Sequence, residues 1–229
     1  MIIRPRPEPE IMISDLPDEN GMYRVVSGAG LSLARLVGDC VEHSLEGLEF
    51  AAGIPGTVGG AVTMNAGAYG GEIKDRIISA DVMDRAGKLR TLSKEDLKLE
   101  YRSSIIQKGQ YIVLNAVFGL NRGDADKSRA LIAQLSLKRR EKQPLEYPSA
   151  GSTFKRPEGC FAGKLIEDAG LKGLTVGGAQ VSEKHAGFII NRDNAVSADI
   201  FALICEVQRL VYEHSGVRLA PEVKLLGFH

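Results

Sequence analysis

The stretch of this 229-residue chain most open to a chemical reading is GIPGTVGGAVTMNAGAYGG, residues 53–71, which holds seven of the 26 glycines. Val, Met and Asn stand between the glycines where a linker would carry Ser or Gln, so a structured glycine-rich loop is expected. Without side chains, successive backbone N–H groups can approach an anion such as a pyrophosphate, or a flat ring, closely. Tight turns and bulges with no ligand would use the same glycines, and composition leaves the two open. The stretch is neither a P-loop, since G-x-x-x-x-G-K-[ST] is absent, nor a Rossmann fingerprint, since no GxGxxG follows a strand. The basic run Lys138–Lys142 is of the kind that ordinarily forms a solvated face. Cys40, Cys160 and Cys205 are far apart and form no CxxC, so neither a disulfide framework nor a zinc site is indicated. All three read as reduced small hydrophobes.

Alternating strands and helices would position these residues. Ile11–Ile13 and Tyr23–Ser27 read as strands. Leu33, Leu36, Val37, Cys40 and Val41 then recur at helical spacing, with Ser32 as N-cap and Gly47 past the end. Strands are expected at Ile77–Met83 and Tyr111–Phe118, with a turn at Asp84–Gly87. The polar, turn-forming run Asn121–Asp126 marks a domain boundary. Beyond it, a helix over Lys127–Lys142 would put Leu131, Ile132 and Leu135 on one face. A short helix near Lys164–Ala169 follows, then strands at Gly187–Ile190 and Val223–Leu226. Between those strands lies a long helix with Ser197 as N-cap and Gly216 past its end. This is an α+β chain in two parts.

Twenty-nine Lys and Arg balance 29 Asp and Glu, which leaves no basic footprint for nucleic acid and no polybasic membrane patch. No run of 18 apolar residues occurs, and the opening MIIRPRPEPE has charges and prolines where a signal peptide needs an apolar stretch. A cytoplasmic protein is expected. The prolines Pro5, Pro7 and Pro9 favour extended backbone there.

Five separated segments then occur in one order: GIPGTVGGAVTMNAGAYGGE at 53–72, YRSS at 101–104, SAGSTFKRP at 149–157, FAGKLIEDAGLKG at 161–173 and PEVKLLG at 221–227. Together they closely resemble the MurB family, the flavoprotein UDP-N-acetylenolpyruvoylglucosamine reductases, from about residue 25 to the C-terminus. The resemblance implies an FAD-binding domain of the vanillyl-alcohol-oxidase (PCMH) type over residues 1–123 and a smaller α+β substrate-binding domain over 124–229. It implies NADPH reduction of FAD and hydride delivery from flavin N5 to an enolpyruvyl ether on a UDP-sugar. Charge then collects on the enolpyruvyl carboxylate, and the adjacent carbon is protonated. The substrate would be UDP-N-acetylglucosamine enolpyruvate, the product UDP-N-acetylmuramate, and the setting peptidoglycan precursor synthesis. Two readings stand beside this one: a flavin-deficient homologue that binds the UDP-sugar without catalysis, and another oxidoreductase of the same flavin superfamily. AGSTFKRP and PEVK, which belong to the family's own substrate domain, argue against the latter.

The resemblance also implies roles. Gly53, Ile54, Pro55, Gly56, Thr57, Gly59, Gly60, Ala61, Asn65 and Gly67 would bind FAD. Arg102 would hold the substrate carboxylate, where its planar, always-charged fork stabilises developing charge. Ser152 would be the proton donor, and Glu222, protonated in the intermediate, could donate a hydrogen bond to the enolate oxygen. Lys142 and Arg156 would lie near the diphosphate. Taken alone, Arg102 reads as a surface arginine, Ser152 as a turn or cap residue, Glu222 as a strand-edge glutamate and Lys142 as part of a helix end. His185 reads as a structural hydrogen-bonding histidine. Ser152 and Glu222 are 70 positions apart, with no room for an inserted subdomain, which resembles the shorter class without the substrate-capping tyrosine loop. Family members also carry a Gly-Ser-Asn loop that helps clasp the FAD pyrophosphate. None precedes residue 23, so the first lobe of the FAD domain is expected to be missing, with apolar surface left open and tight FAD binding weakened.

Overall fold

A computed structural model describes residues 11–227; the proline-rich opening lies outside the described residues. The chain divides into two compact units, Met1–Leu137 and Lys138–His229. The expected boundary at 123/124 falls at the start of a helix, and the division by contacts falls within it.

In the first unit, strands β1 (Ile11–Ile13) and β2 (Tyr23–Gly28) lead to helix α1 (Leu33–Glu42), short strand β3 (Leu45–Glu46) and helix α2 (Val58–Met64). The hairpin β4–β5 (Gly67–Ala68, Gly71–Glu72), strands β6 (Ile77–Met83) and β7 (Leu89–Ser93), helix α3 (Ile105–Gly109) and the long β8 (Ile112–Arg122) follow. The main sheet has the order β1-β2-β8-β6-β7, all antiparallel, and β3 pairs with the end of β8. Helix α1 matches its sequence pattern: the Ser32 hydroxyl accepts the Arg35 N–H at 3.3 Å, and Leu33, Leu36, Val37, Cys40 and Val41 are buried. Each such side chain taken from water contributes roughly 1.5–3 kcal/mol. The Asp84–Gly87 turn closes β6 onto β7 through Gly87 N–H to Asp84 O at 3.0 Å.

The polar run at the expected boundary is not all turn. Asn121 and Arg122 remain in β8, opposite Glu46 and Leu45, because β3 offers them a ladder. Only then does α4 (Ala125–Lys142) begin, with the Asp124 carboxylate accepting the Asp126 and Lys127 N–H groups at 2.9 and 3.2 Å. The apolar face expected on α4 is only partly used, since Ile132 packs against the first core while Leu131 is 42% exposed. A buried polar contact, Ser128 Oγ to Glu49 Oε1 at 2.6 Å, ties the helix down.

The second unit holds a four-stranded antiparallel sheet, order β10-β11-β12-β9: Thr175–Val176, Ala179–Val181, Phe188–Asn191 and Ser149–Ser152. Helices α5 (Ala162–Asp168) and α6 (Ser197–Ser215) bury Ala162, Ile166, Leu203, Ile204, Val207 and Val211 in a core with Ala179, Val181 and Ile189. Ser197 is not the N-cap of α6. Val196 takes that position, and the Asp199 carboxylate reaches back to the N–H groups of Val196 (3.0 Å) and Gly178 (3.2 Å). Val223–Leu226 does not form a strand: after a single bridge between Pro221 and Phe154 the segment leaves the sheet, and Leu226 is 72% exposed. Of the cysteines, only Cys40 is buried as expected, and burial pushes its thiol up to about 12; Cys160 is half-buried and Cys205 exposed.

Candidate active site

The glycine-rich stretch is not a loop throughout. Residues 58–64 form α2, capped by the Thr57 hydroxyl, which accepts the Gly60 N–H at 3.4 Å. Glycine serves here against its helix propensity because the helix must approach the β2–α1 turn closely. A Cβ on Gly59 would lie 2.9 Å from Ala29 Cβ, and the Gly59 N–H donates to Ala29 O at 2.9 Å. Gly59 and Ala61 therefore face inward, and Gly67 packs against Glu72. Gly53, Pro55, Gly56 and Gly60 are exposed, and nothing lies within 4 Å of where a Cβ on Gly56 would stand. This bare backbone surface fits a flat ring or a pyrophosphate, which need close approach to main-chain groups.

Asn65, also expected to touch cofactor, is fully buried at the left-handed C-cap of α2 (φ 43°). Its amide donates to Glu72 Oε2 at 2.9 Å and Glu100 O at 3.1 Å, and its oxygen accepts the Lys74 N–H at 2.9 Å. The Glu72 carboxyl is held below the ordinary carboxylate range by the Lys74 ammonium at 2.8 Å; the Asn65 amide and the charge of Arg102 add to this, and burial opposes it.

Arg102 occupies a tight turn in which Glu100 and Ser103 exchange N–H···O bonds at 3.0 and 3.2 Å. Its own backbone is left-handed (φ 52°), an uncommon conformation for a residue with a side chain. Gln107 Nε2 donates to Arg102 O (3.3 Å) and to Thr63 O (3.0 Å), Ser104 Oγ donates to Thr63 O (2.6 Å), and the guanidinium lies over the Tyr101 ring at 5.1 Å.

In the second unit, Ser152 ends β9 on an exposed position, opposite Phe188 of β12. The next residue, Thr153, is buried and bonded through its N–H, its carbonyl and its hydroxyl oxygen. Its N–H donates to Gly187 O (2.8 Å), its hydroxyl accepts the Ile189 N–H (3.1 Å), and its carbonyl accepts the Glu222 N–H (2.8 Å). With Lys155 N–H on Ala220 O (2.8 Å), these bonds pair residues 153–155 with 220–222. Ser152 and Glu222, distant in sequence, are thereby on adjoining segments of the chain. Lys142 is exposed at the end of α4, and Arg156 lies over the Phe161 ring at 3.9 Å. Neither of two further clefts is lined by any of these residues. One, of about 570 Å³, lies among Ile13, Tyr23, Arg35, Asp39, His43 and Arg122; the other, of about 250 Å³, among Tyr147, Gln180, Lys184 and Arg192. No group of three or more potential metal-ligating side chains occurs among the described residues, and none of their helices is long and apolar enough to cross a membrane.

His185 has the hydrogen-bonding place expected of it. Its Nδ1 accepts the Gly187 N–H at 3.0 Å, so the neutral ring carries its proton on Nε2. The ring meets Phe188 edge-on at 5.0 Å, and a Cβ on Gly163 or Gly187 would come within 3.2 or 3.0 Å of it. Burial pushes the imidazole below its ordinary value of 6.5. The unfolded chain therefore binds the extra proton first, so this group's contribution to stability is complete above pH 6.5 and is lost as pH falls through the folded value. The urea midpoint of the second unit is expected to fall between neutral and mildly acid pH, and less steeply in His185→Gln. Parallel slopes in the two proteins would contradict it.

Two of these contributors are not singled out by sequence reasoning. Thr153 lies inside AGSTF but carries no signal apart from its motif. Glu72 closes the glycine-rich segment, and its only signal is the lysine two residues on.

A family model described as the UDP-N-acetylenolpyruvoylglucosamine reductase C-terminal domain matches residues 143–226, and one described as an FAD binding domain matches residues 15–93. The UDP-N-acetylenolpyruvoylglucosamine reductase of Agathobacter rectalis is 54% identical over 218 residues, covering 95% of this chain and 69% of that protein. That of Lachnoclostridium phytofermentans is 57% identical over 205 residues, covering 90% and 66%. The chain thus spans about two thirds of the length of these relatives. The crystal structure of MurB from Thermus caldophilus superposes with a TM-score of 0.77 at 35% identity, over 87% of this chain and 71% of that one. An FAD-binding domain followed by this C-terminal domain, at such identity over nearly the whole sequence, means that the chain belongs to the UDP-N-acetylenolpyruvoylglucosamine reductase (MurB) family.

Proposed function

We propose that the protein reduces the enolpyruvyl ether of UDP-N-acetylglucosamine enolpyruvate to the lactyl ether of UDP-N-acetylmuramate, with FAD as cofactor and NADPH as reductant, in cytoplasmic peptidoglycan precursor synthesis. The observation that carries the reading is the Glu222 N–H to Thr153 O bond of 2.8 Å, which draws the AGSTF and PEVK segments onto one another. The exposed backbone at Gly53–Thr57 and Gly60 would hold FAD. When bound and reduced, FAD supplies a hydride to the terminal carbon of the double bond. Arg102 holds the substrate carboxylate as a two-pronged charged donor, and its stabilisation grows as negative charge collects there. The Ser152 hydroxyl gives its proton to the carbon beside that carboxylate and recovers one from water. Glu222 donates a hydrogen bond to the enolate oxygen when protonated. Lys142 and Arg156 neutralise the diphosphate.

The test is the purified chain supplied with FAD, NADPH and the enolpyruvyl UDP-sugar, with the product weighed by mass spectrometry. A product heavier by two hydrogens, formed with equimolar NADPH loss, is expected. FAD-loaded protein that leaves the sugar nucleotide unchanged would overturn the reading. Sugar-nucleotide binding without NADPH oxidation in excess FAD would make the chain a non-catalytic binder instead.

A further inference from the structure

We infer that Asn65 is a positioning residue for Arg102 rather than a cofactor contact, a buried joint that fixes the arginine turn to the end of α2. The inference rests on the proposed role of Arg102 as carboxylate holder. Both donors and the oxygen of the Asn65 amide are engaged within the protein, on Glu72, Glu100 and Lys74, and the residue has no exposed surface. One of those bonds, to Glu100 O, falls on the turn whose third residue is Arg102. A left-handed arginine costs free energy and persists only where its surroundings over-determine it. Three side chains do so here, all connecting the turn to α2 or the residues just after it. Asn65 grips Glu100 O, Gln107 bridges Arg102 O to Thr63 O, and Ser104 reaches the same Thr63 carbonyl. Both the arginine and the glycine-rich surface are thus referred to one helix. If the C-terminal end of that helix loosens, the guanidinium fork loses its aim, while at the other end Gly56 O keeps the Leu33 N–H and the Val58 and Gly59 N–H groups keep Leu31 O and Ala29 O.

The critical substitution is Asn65→Asp, equal in shape but unable to donate, which turns a carboxylate toward Glu72 Oε2 and Glu100 O. Calorimetric titration of the full chain compares UDP-N-acetylmuramate, which bears the carboxylate, with UDP-N-acetylglucosamine, which lacks it. Wild type is expected to prefer the former by about 10-fold or more, the worth of a charge-assisted hydrogen-bonded contact. In Asn65→Asp that preference falls to about unity, while affinity for UDP-N-acetylglucosamine stays within about twofold. A merely structural defect would weaken both ligands together and leave their ratio alone. A folded Asn65→Asp protein that keeps the wild-type preference overturns the inference, as does one that loses FAD affinity with the preference intact. If circular dichroism shows Asn65→Asp unfolded, Gln107→Leu carries the test: a preference reduced several-fold supports the joint, and an unchanged one overturns it. Wild type that binds neither ligand defeats the proposed function and this inference with it. Wild type that binds both equally defeats the role of Arg102 and this inference with it, while leaving the proposed reduction of the UDP-sugar standing.

Discussion

Replacing Ser152 by alanine is expected to slow turnover of the enolpyruvyl UDP-sugar by roughly 10²–10⁴-fold, the usual worth of a positioned proton donor. NADPH consumption in the first half-reaction should change by no more than about twofold, because in the proposed reaction the hydroxyl acts only after the hydride has moved. The fold gives this comparison its force. Ser152 is exposed at the end of β9, and the anchoring is done by Thr153, through Gly187, Ile189 and Glu222. Losing one hydroxyl leaves that clamp whole, so the variant should melt with wild type. Stopped-flow measurement of the two half-reactions separates the outcomes. Undiminished product formation in Ser152→Ala would remove the proton-donor role, and equal losses in both halves would point to misfolding or poor FAD retention.

The largest effect on stability is expected from Phe118→Ala. Phe118 is fully buried in β8, with Val25 of β2 on one side and Ile77 of β6 on the other, both also buried. Truncation removes the side chain and leaves a cavity on the strand that joins the two halves of the main sheet. The cost is about 3–5 kcal/mol, against a total of roughly 5–15 kcal/mol for a domain of this size. Hydrogen exchange locates the damage: amides of β2, β6 and β8 should lose protection, while those of α6 keep theirs. Protection lost equally in α6 would mean that the two units unfold as one.

Where side-chain periodicity decides structure, the sequence was readable. Helix α1 follows from Leu33, Leu36, Val37, Cys40 and Val41, and α6 from Leu203, Ile204, Val207 and Val211, since burial on one face is the whole reason those helices form. Helix α2 is not readable, because Gly59 answers to a neighbour, Ala29, rather than to the helix itself. Val223–Leu226 carried an apolar strand signal but meets no sheet after Pro221, and the ladder that captures Asn121 and Arg122 depends on a strand 75 residues earlier in the chain. The candidate site divides the same way. Ser152, Glu222 and Arg102 came from resemblance alone, since no local pattern marks an exposed serine at a strand end or a glutamate paired through its backbone. Asn65 was singled out by its motif, but its buried bonds to Glu72, Glu100 and Lys74 are tertiary, and no spacing rule reaches them.

The position of β8 in the sheet has a consequence for how the chain is made. β1 and β2 on one side, β6 and β7 on the other, share no ladder until β8 enters between them. A nascent chain that has emerged only through β7 therefore presents two separate hairpins with unpaired inner edges, each marginal by itself in water. Closure waits for residues 112–122 and joins β8 to partners in β2 that lie 87 to 97 positions back, so contact order is high and assembly of this unit slow. During synthesis, the interval between β7 and β8 is when the inner strand edges of this unit stand open to pairing with another chain.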